Sequence, residues 1–250
     1  MNYLPGKFVW FEHLSNDVAK SRAFYEQLFG WKTEAMPMGA ESYLMIKNGA
    51  DSIAGYRSAP AGVPNNWTSY LSVPDVDAAA REVEKAGGKV LMPPMDFGPV
   101  GRAAAVADPA GAAFCLWKGA QGDPADVQKP APGNFYWNEC WTSDDEAALA
   151  FYAKAFGYSQ DSMDMGPQGI YYILKKDGVP RAGLMKANRE GGPKPMWQPY
   201  VLVANCDATA AIAKQLGARE CVPPTDIPGV GRFSIVLDPV GAMIAFMQAA

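Results

Sequence analysis

Residues 108–117 read Asp-Pro-Ala-Gly-Ala-Ala-Phe-Cys-Leu-Trp, and residues 238–247 read Asp-Pro-Val-Gly-Ala-Met-Ile-Ala-Phe-Met. Each is a tight turn followed by a short apolar run. Asp can bond the turn backbone with its own side chain, Pro presets φ, and Gly supplies a conformation other residues resist. The run that follows has the composition of a buried strand. Working outward, Val100-Gly101-Arg102 returns as Val230-Gly231-Arg232, and Pro93-Pro94-Met95-Asp96 as Pro223-Pro224-Thr225-Asp226. Further upstream, Trp10-Phe11-Glu12 returns as Trp137-Asn138-Glu139, Phe24-Tyr25 as Phe151-Tyr152, and Phe29-Gly30-Trp31 as Phe156-Gly157-Tyr158. The offset drifts only from 127 to 130 residues. Solenoid repeats run about 20–50 residues, so a period this long marks a duplicated domain.

The repeat divides the chain into residues 1–120, a linker at 121–132 that carries Gly122, Pro124, Pro130 and Pro132, and residues 133–250. Each half is long enough to bury a core of its own. Hydrophobic residues make up 49% and charged residues 19%, as in an ordinary globular protein. The net charge of −4 and the lack of any basic run argue against a nucleic-acid partner, which needs clustered Lys and Arg. No stretch approaches 18 consecutive apolar residues, so no membrane span is expected. The first eight residues carry Pro5 and Gly6 and do not read as a secretory signal, which points to the cytoplasm. Cys115, Cys140, Cys206 and Cys221 form no Cys-x-x-Cys pair and have no counterparts across the repeat. They read as small buried hydrophobes rather than disulfide or zinc ligands.

Within each half the pattern runs strand, helix, strands, twice over. Residues 8–14 alternate as a strand, Asn16 or Asp17 caps a helix to Leu28, and Gly30 stops it. Strands follow at Tyr43–Lys47 and, after an Asn48-Gly49 turn, near Ile53. The pattern restarts with a strand over Trp67–Val73, a helix capped by Asp75 or Asp77 and ended by Gly87-Gly88, and strands near 89–92, 102–107 and 112–117. The expected fold class is α+β, built of tandem βαβββ modules.

The strand–Asp–helix order, the Phe-Tyr pair on the helix, its Phe-Gly-aromatic end and the closing Asp-Pro-x-Gly together resemble the vicinal oxygen chelate superfamily of glyoxalases, bleomycin-resistance proteins and extradiol dioxygenases. The resemblance covers nearly the whole chain and implies two half-open, barrel-like glyoxalase domains, each around a cleft. It also admits a homodimer. Superfamily enzymes commonly hold a divalent metal through three positions. By the resemblance these fall on Trp10, Thr68 and Cys115 in the first half and on Trp137, Gln198 and Ala245 in the second. Trp cannot ligate, and Thr and Gln are weak ligands, so neither a metal nor another cofactor is expected. The single histidine, His13, lies three residues after Trp10 and should point away from the cleft that Trp10 faces.

Glu12 and Glu139 each follow a Trp by two residues and should share its face. They are the candidate acid–base residues, because a carboxylate in an aromatic pocket loses solvation and its pKa rises. The same carboxylates could instead accept hydrogen bonds from Tyr or Trp and hold the barrel together. Trp10, Tyr43, Thr68, Tyr70, Trp137, Tyr171, Gln198 and Tyr200 are the candidate ligand-binding residues. Arg102 and Arg232 are candidates too, either clamping an anion or pairing with Asp96 and Asp226 across the loop. Two functions follow: a protein that binds a flat or apolar small molecule without metal, or a superfamily enzyme of lyase, isomerase or dioxygenase/hydroxylase type that uses Glu12 or Glu139 or a nonstandard metal site.

Overall fold

The computed structural model describes residues 2–38, 41–187 and 194–250. Among them are sixteen strands and four α-helices. The first half contains β1 (Phe8–Ser15), α1 (Val18–Phe29), β2 (Lys32–Met38), β3 (Glu41–Asn48), β4 (Asp51–Ser58), β5 (Asn66–Ser72), α2 (Val76–Lys85), β6 (Lys89–Asp96), β7 (Gly101–Ala107) and β8 (Ala113–Gly119). The second half repeats the order with β9 (Phe135–Thr142), α3 (Asp145–Phe156), β10 (Ser159–Asp164), β11 (Ile170–Lys176), β12 (Val179–Lys186), β13 (Met196–Leu202), α4 (Cys206–Gln215), β14 (Arg219–Ile227), β15 (Gly231–Leu237) and β16 (Met243–Ala249). The sequence pattern did not mark β2 and β10. Both are edge strands, and every residue of β10 is exposed, so neither carries a clean apolar alternation.

The helix starts follow capping chemistry. Asp17 accepts from the backbone N–H of Lys20, Asp144 from that of Ala147, and Asn205 from that of Ala208. Asp75, not Asp77, caps α2 through the N–H of Ala78, which leaves Asp77 free for another task in the first turn. Gly30 and Gly157 end α1 and α3 in the left-handed conformation, with φ of 72° and 69°.

Each half contributes one eight-stranded sheet, in the orders β2-β3-β4-β1-β5-β8-β7-β6 and β10-β11-β12-β9-β13-β16-β15-β14. Each sheet keeps two edge strands and does not close into a barrel. Every module is an antiparallel meander whose last strand runs parallel to its first: β4 beside β1, β8 beside β5, β12 beside β9 and β16 beside β13.

Packing divides the chain into two compact units, and each draws one βαβββ module from each half. The first unit comprises residues 1–10, 69–126 and 137–197; the second comprises 11–68, 127–136 and 198–250. In the first unit α2 packs on α3, around Phe8, Phe114, Phe151, Tyr152 and Trp197. In the second, α1 packs on α4, and Tyr25, Trp31 and Trp67 form the core with Phe11 stacked on Phe135.

The Asp-Pro-x-Gly turn proves to be a latch between the halves inside each unit. Asp238 Oδ1 accepts from the N–H groups of Val240 and Ala242 and so shapes its own turn. Its Oδ2 accepts from Tyr25 Oη at 2.9 Å and meets His13 Nε2 at 3.0 Å; Tyr25 Oη in turn accepts from Trp67 Nε1 at 2.8 Å. In the first unit Asp108 Oδ1 accepts from the N–H groups of Gly111 and Ala112, and its Oδ2 accepts from Tyr152 Oη at 3.0 Å. Trp197 Nε1 donates to Tyr152 Oη, and Cys140 Sγ lies 3.9 Å from Asp108 Oδ2, where His13 stands in the other unit. Burial raises both phenols well above their ordinary pKa, and the neighbouring charged or thiol groups add to it, so both remain proton donors. Cys140, Cys115 and Cys206 are buried as expected, but Cys221 is exposed, because it sits on the outward face of the edge strand β14.

Candidate functional site

Glu12 and Glu139 occupy equivalent places on β1 and β9, and both are buried, 4% and 6% exposed. In the parallel pairing, Glu12 lies opposite Gly55 on β4 and Glu139 opposite Gly183 on β12. A tyrosine from the next strand crosses over each glycine. Tyr43 on β3 donates to Glu12 Oε1 at 3.0 Å, and Tyr171 on β11 hydrogen-bonds to Glu139. Burial, then the Glu139 charge, pushes the Tyr171 phenol well above its ordinary value, so the proton stays on the tyrosine. The second unit therefore holds a Tyr43–Glu12 pair and the first a Tyr171–Glu139 pair.

The two pairs differ in what completes them. Glu12 Oε2 lies 3.5 Å from Arg57 Nη1, an ion pair with a half-exposed guanidinium. Glu139 Oε1 accepts from Trp141 Nε1 at 2.5 Å, and Trp137 Nε1 donates to Tyr171 Oη at 2.8 Å. Trp137, Tyr171, Glu139 and Trp141 thus form one chain of hydrogen bonds inside the first unit.

Trp10 is half-buried against Tyr70, Ala103 and Cys115 in the first unit. Tyr200 is buried with its ring 6.4 Å from Phe233 in the second. Thr68 Oγ1 donates to Asn66 Oδ1 at 2.8 Å. Gln198 is fully buried, with Nε2 donating to the Pro199 carbonyl; its Oε1 has no partner among the described residues. Arg102 is committed elsewhere. Its Nε and Nη2 grip both oxygens of Asp77 at 2.7 and 2.9 Å, and its Nη1 bonds Asp96 at 2.9 Å. Arg232 does the same with Asp207 and Asp226. The geometry is a bidentate fork that ties the first turn of α2 or α4 to the hairpin of its own module.

Four residues of these clusters escaped the sequence reading: Arg57, Trp141, Gly55 and Gly183. Trp141 had a legible signal, since it lies four residues after Trp137 on the same strand face. The two glycines had a weaker one in the repeated Ala54-Gly55 and Ala182-Gly183 dipeptides.

A family model for the glyoxalase/bleomycin resistance protein/dioxygenase superfamily matches residues 7–116. "Putative glyoxylase CFP32" of Mycobacterium tuberculosis is 34% identical, over 99% of this chain and 97% of its own length. This chain belongs to that superfamily. "Anthracycline biosynthesis protein DnrV" of Streptomyces peucetius is 35% identical, over 98% of this chain and 94% of the relative. Among solved structures, 2,2',3-trihydroxybiphenyl 1,2-dioxygenase of Sphingomonas wittichii RW1 superposes with a TM-score of 0.66 at 16% identity, covering 99% of this chain and 91% of that one. It carries the same fold.

The resemblance drawn from the sequence puts the superfamily's metal-ligand positions on Trp10, Thr68 and Cys115, and on Trp137, Gln198 and Ala245. Among the described residues no group of three or more His, Cys, Asp or Glu is placed to hold a metal ion. Indoles and an alanine offer no available lone pair, Thr68 and Gln198 offer neutral oxygens, and Cys115 is a lone soft donor. This donor set does not fit a hard divalent cation. His13 is sealed on the opposite face of β1 against Asp238 and three aromatic rings. No helix among the described residues is long and apolar enough to cross a membrane.

Proposed function

We propose that the protein binds a flat, hydroxylated aromatic small molecule at its Glu-centred clusters, through side chains rather than a metal centre. The observation that carries this reading is the chain Trp137–Tyr171–Glu139–Trp141, where a buried carboxylate is oriented by an indole and a phenol. Indole faces offer stacking surface, and a carboxylate is an acceptor for a ligand hydroxyl. The relative named for anthracycline biosynthesis supports it, because anthracyclines are flat fused-ring aromatics. Trp10, Tyr70 and Tyr200 add aromatic surface on β1, β5 and β13, and Gln198 adds a polar group.

Intrinsic tryptophan fluorescence titrated with 1,4-dihydroxyanthraquinone tests this reading. Quenching should saturate at micromolar ligand and weaken at least tenfold in Trp137→Ala, a loss of about 1.4 kcal/mol. No quenching and no thermal shift with this or related ring systems would sink it.

The Tyr171–Glu139 bond also supports a second reading, acid–base catalysis of isomerase or lyase type. A neutral phenol facing a buried carboxylate can exchange a proton with a carbonyl substrate. Turnover of α-dicarbonyl thiol adducts that falls at least a hundredfold in Glu139→Gln would favour this reading over simple binding.

A further inference from the structure

Gly55 and Gly183 stand directly opposite the two buried glutamates, on the strands that pair parallel with β1 and β9. Neither needs glycine for its backbone: neither is among the residues with positive φ. What each needs is the missing side chain. A Cβ on Gly55 would lie 1.9 Å from Tyr43 Oη and 2.2 Å from its Cζ. A Cβ on Gly183 would lie 1.9 Å from Tyr171 Oη, 2.6 Å from its Cζ and 2.9 Å from Trp137 Nε1. Contacts below 3 Å between non-bonded heavy atoms of this kind are repulsive, so the phenol and a side chain cannot share the space. The phenol lies in a notch in the sheet that exists only because the residue is glycine.

The notch recurs in both units, over the same strand pair and against the same carboxylate. A glycine inside a strand costs backbone entropy and loses side-chain packing. Here each notch admits one hydroxyl that reaches a buried glutamate.

We infer that Gly55 and Gly183 are positioning residues for the ligand site: each seats a tyrosine hydroxyl on its glutamate, fixing the carboxylate as an acceptor for a ligand hydroxyl or N–H. The inference rests on the binding reading above for its ligand, but not for its geometry. In the first unit the order is Trp137 N–H to Tyr171 oxygen, and Tyr171 O–H to Glu139. With the Tyr171 hydroxyl and the Trp141 N–H both directed at it, the carboxylate is held in one rotamer, and a donor on the ligand joins these partners at a carboxylate whose orientation is already set. The ligand class selected is a ring bearing O–H or N–H, in preference to the same ring methylated at that atom.

The test is a double-mutant cycle of Gly183→Ala with Tyr171→Leu, read by urea unfolding and by fluorescence titration with 1,4-dihydroxyanthraquinone and its dimethyl ether. Leu stops short of the notch, so Gly183→Ala should lower the urea midpoint in the wild-type background and lower it by less than half as much beside Tyr171→Leu, where the 2.9 Å contact with Trp137 Nε1 is the one that remains of the three. The wild type should favour the dihydroxy probe about tenfold over the ether, the worth of one buried hydrogen bond. Gly183→Ala should bring that ratio close to one while the ether's own affinity moves less than threefold. Additive effects on the urea midpoint would overturn the positioning role, whatever the ligand results. A ratio unchanged in Gly183→Ala would overturn the selectivity. A wild type that binds neither probe removes the binding reading and the selectivity with it, and the unfolding cycle still decides the role of the notch.

Discussion

Leu14 lies opposite Arg57 across the β1–β4 pair, and Trp141 lies opposite Met185 across the β9–β12 pair. These are equivalent positions in the two copies. The large polar partner of the glutamate comes from β4 in one copy and from β9 in the other. In the first it is a guanidinium ion-paired to Glu12; in the second it is an indole N–H donating to Glu139. The opposite faces of the same strands diverge in parallel, with His13 opposite Tyr56 in one copy and Cys140 opposite Leu184 in the other. A buried carboxylate must be served by donors, but which strand supplies them and with what charge is free to change. The invariant parts of the cluster are the glutamate, the tyrosine and the glycine beneath it. The partners that vary give the two clusters different electrostatics: one pairs its carboxylate with a cation, the other with a neutral indole.

The largest difference should come from breaking the two latches. Asp238→Ala strands the buried Tyr25 hydroxyl and His13 Nε2 and removes two bonds to its own turn, for a loss of about 3–5 kcal/mol. Asp108→Ala strands Tyr152 but only a weakly polar thiol beside it, so the loss should be smaller, about 2–4 kcal/mol. Urea unfolding of both variants measures the gap; equal losses would mean His13 adds nothing that Cys140 lacks.

A subtler contrast is His13→Cys, which rebuilds the Cys140 arrangement in the second unit. It should cost about 1–3 kcal/mol, because cysteine fills less of the space between Tyr25, Trp67 and Tyr56. Thermal unfolding at neutral pH reads this directly.

The clusters themselves separate through their phenols. Tyr171→Phe removes the acceptor of the Trp137 indole as well as a donor to Glu139, and should cost about 1–3 kcal/mol. Tyr43→Phe removes one bond to Glu12 and leaves the Arg57 ion pair, for about 0.5–1.5 kcal/mol. If Tyr43→Phe proves the more damaging, the ion pair does not support Glu12 in the way its geometry implies.

The smallest effect is expected at the two forks, where the halves agree. The Arg102 hydrogen bonds hold the Asp77 carboxyl below its ordinary range, and Arg232 does the same for Asp207. A carboxyl whose pKa is lowered on folding adds stability above the ordinary carboxylate range and loses it as pH falls through the lowered value. Asp108 has the opposite sign. Burial raises its pKa, so its contribution is full at acid pH and is lost as pH rises through the raised value. Arg102→Gln should therefore flatten the acid limb of a melting-temperature profile, and Arg232→Gln should flatten it equally. These carboxylates face solvent, so salt should shrink the effect.

Much of the frame was legible in the residues. The turn at 108–112 and the caps, read as Asn16 or Asp17 and Asp75 or Asp77, act locally through side chains that bond nearby backbone, and the stop at Gly30 acts through its own φ. Their meaning therefore survives without knowledge of the fold. The edge strands β2 and β10 were not legible, because an exposed strand need not alternate. Of the site, the two glutamates and the tyrosines on β3 and β11 could be read from strand periodicity and from their recurrence. Arg57 could not, and the repeated Ala-Gly dipeptides at Gly55 and Gly183 marked a recurrence without a role, because the relevance of all three depends on which strand pairs beside β1 or β9 and in what register.

By itself the sequence determined that there are two copies of one βαβββ pair, and which residue types open and close the first-half helices. Periodicity, capping and turn chemistry act over a few residues, and a repeat can be counted. Only the tertiary structure decided which copy each motif serves. Tyr25 in the first half bonds Asp238 in the second, and Tyr152 in the second bonds Asp108 in the first. Both motifs look self-contained in the chain. Each phenol has two chemically equivalent aspartates to choose from, and only the packing of α1 on α4 and of α2 on α3 brings one of them within 3.0 Å.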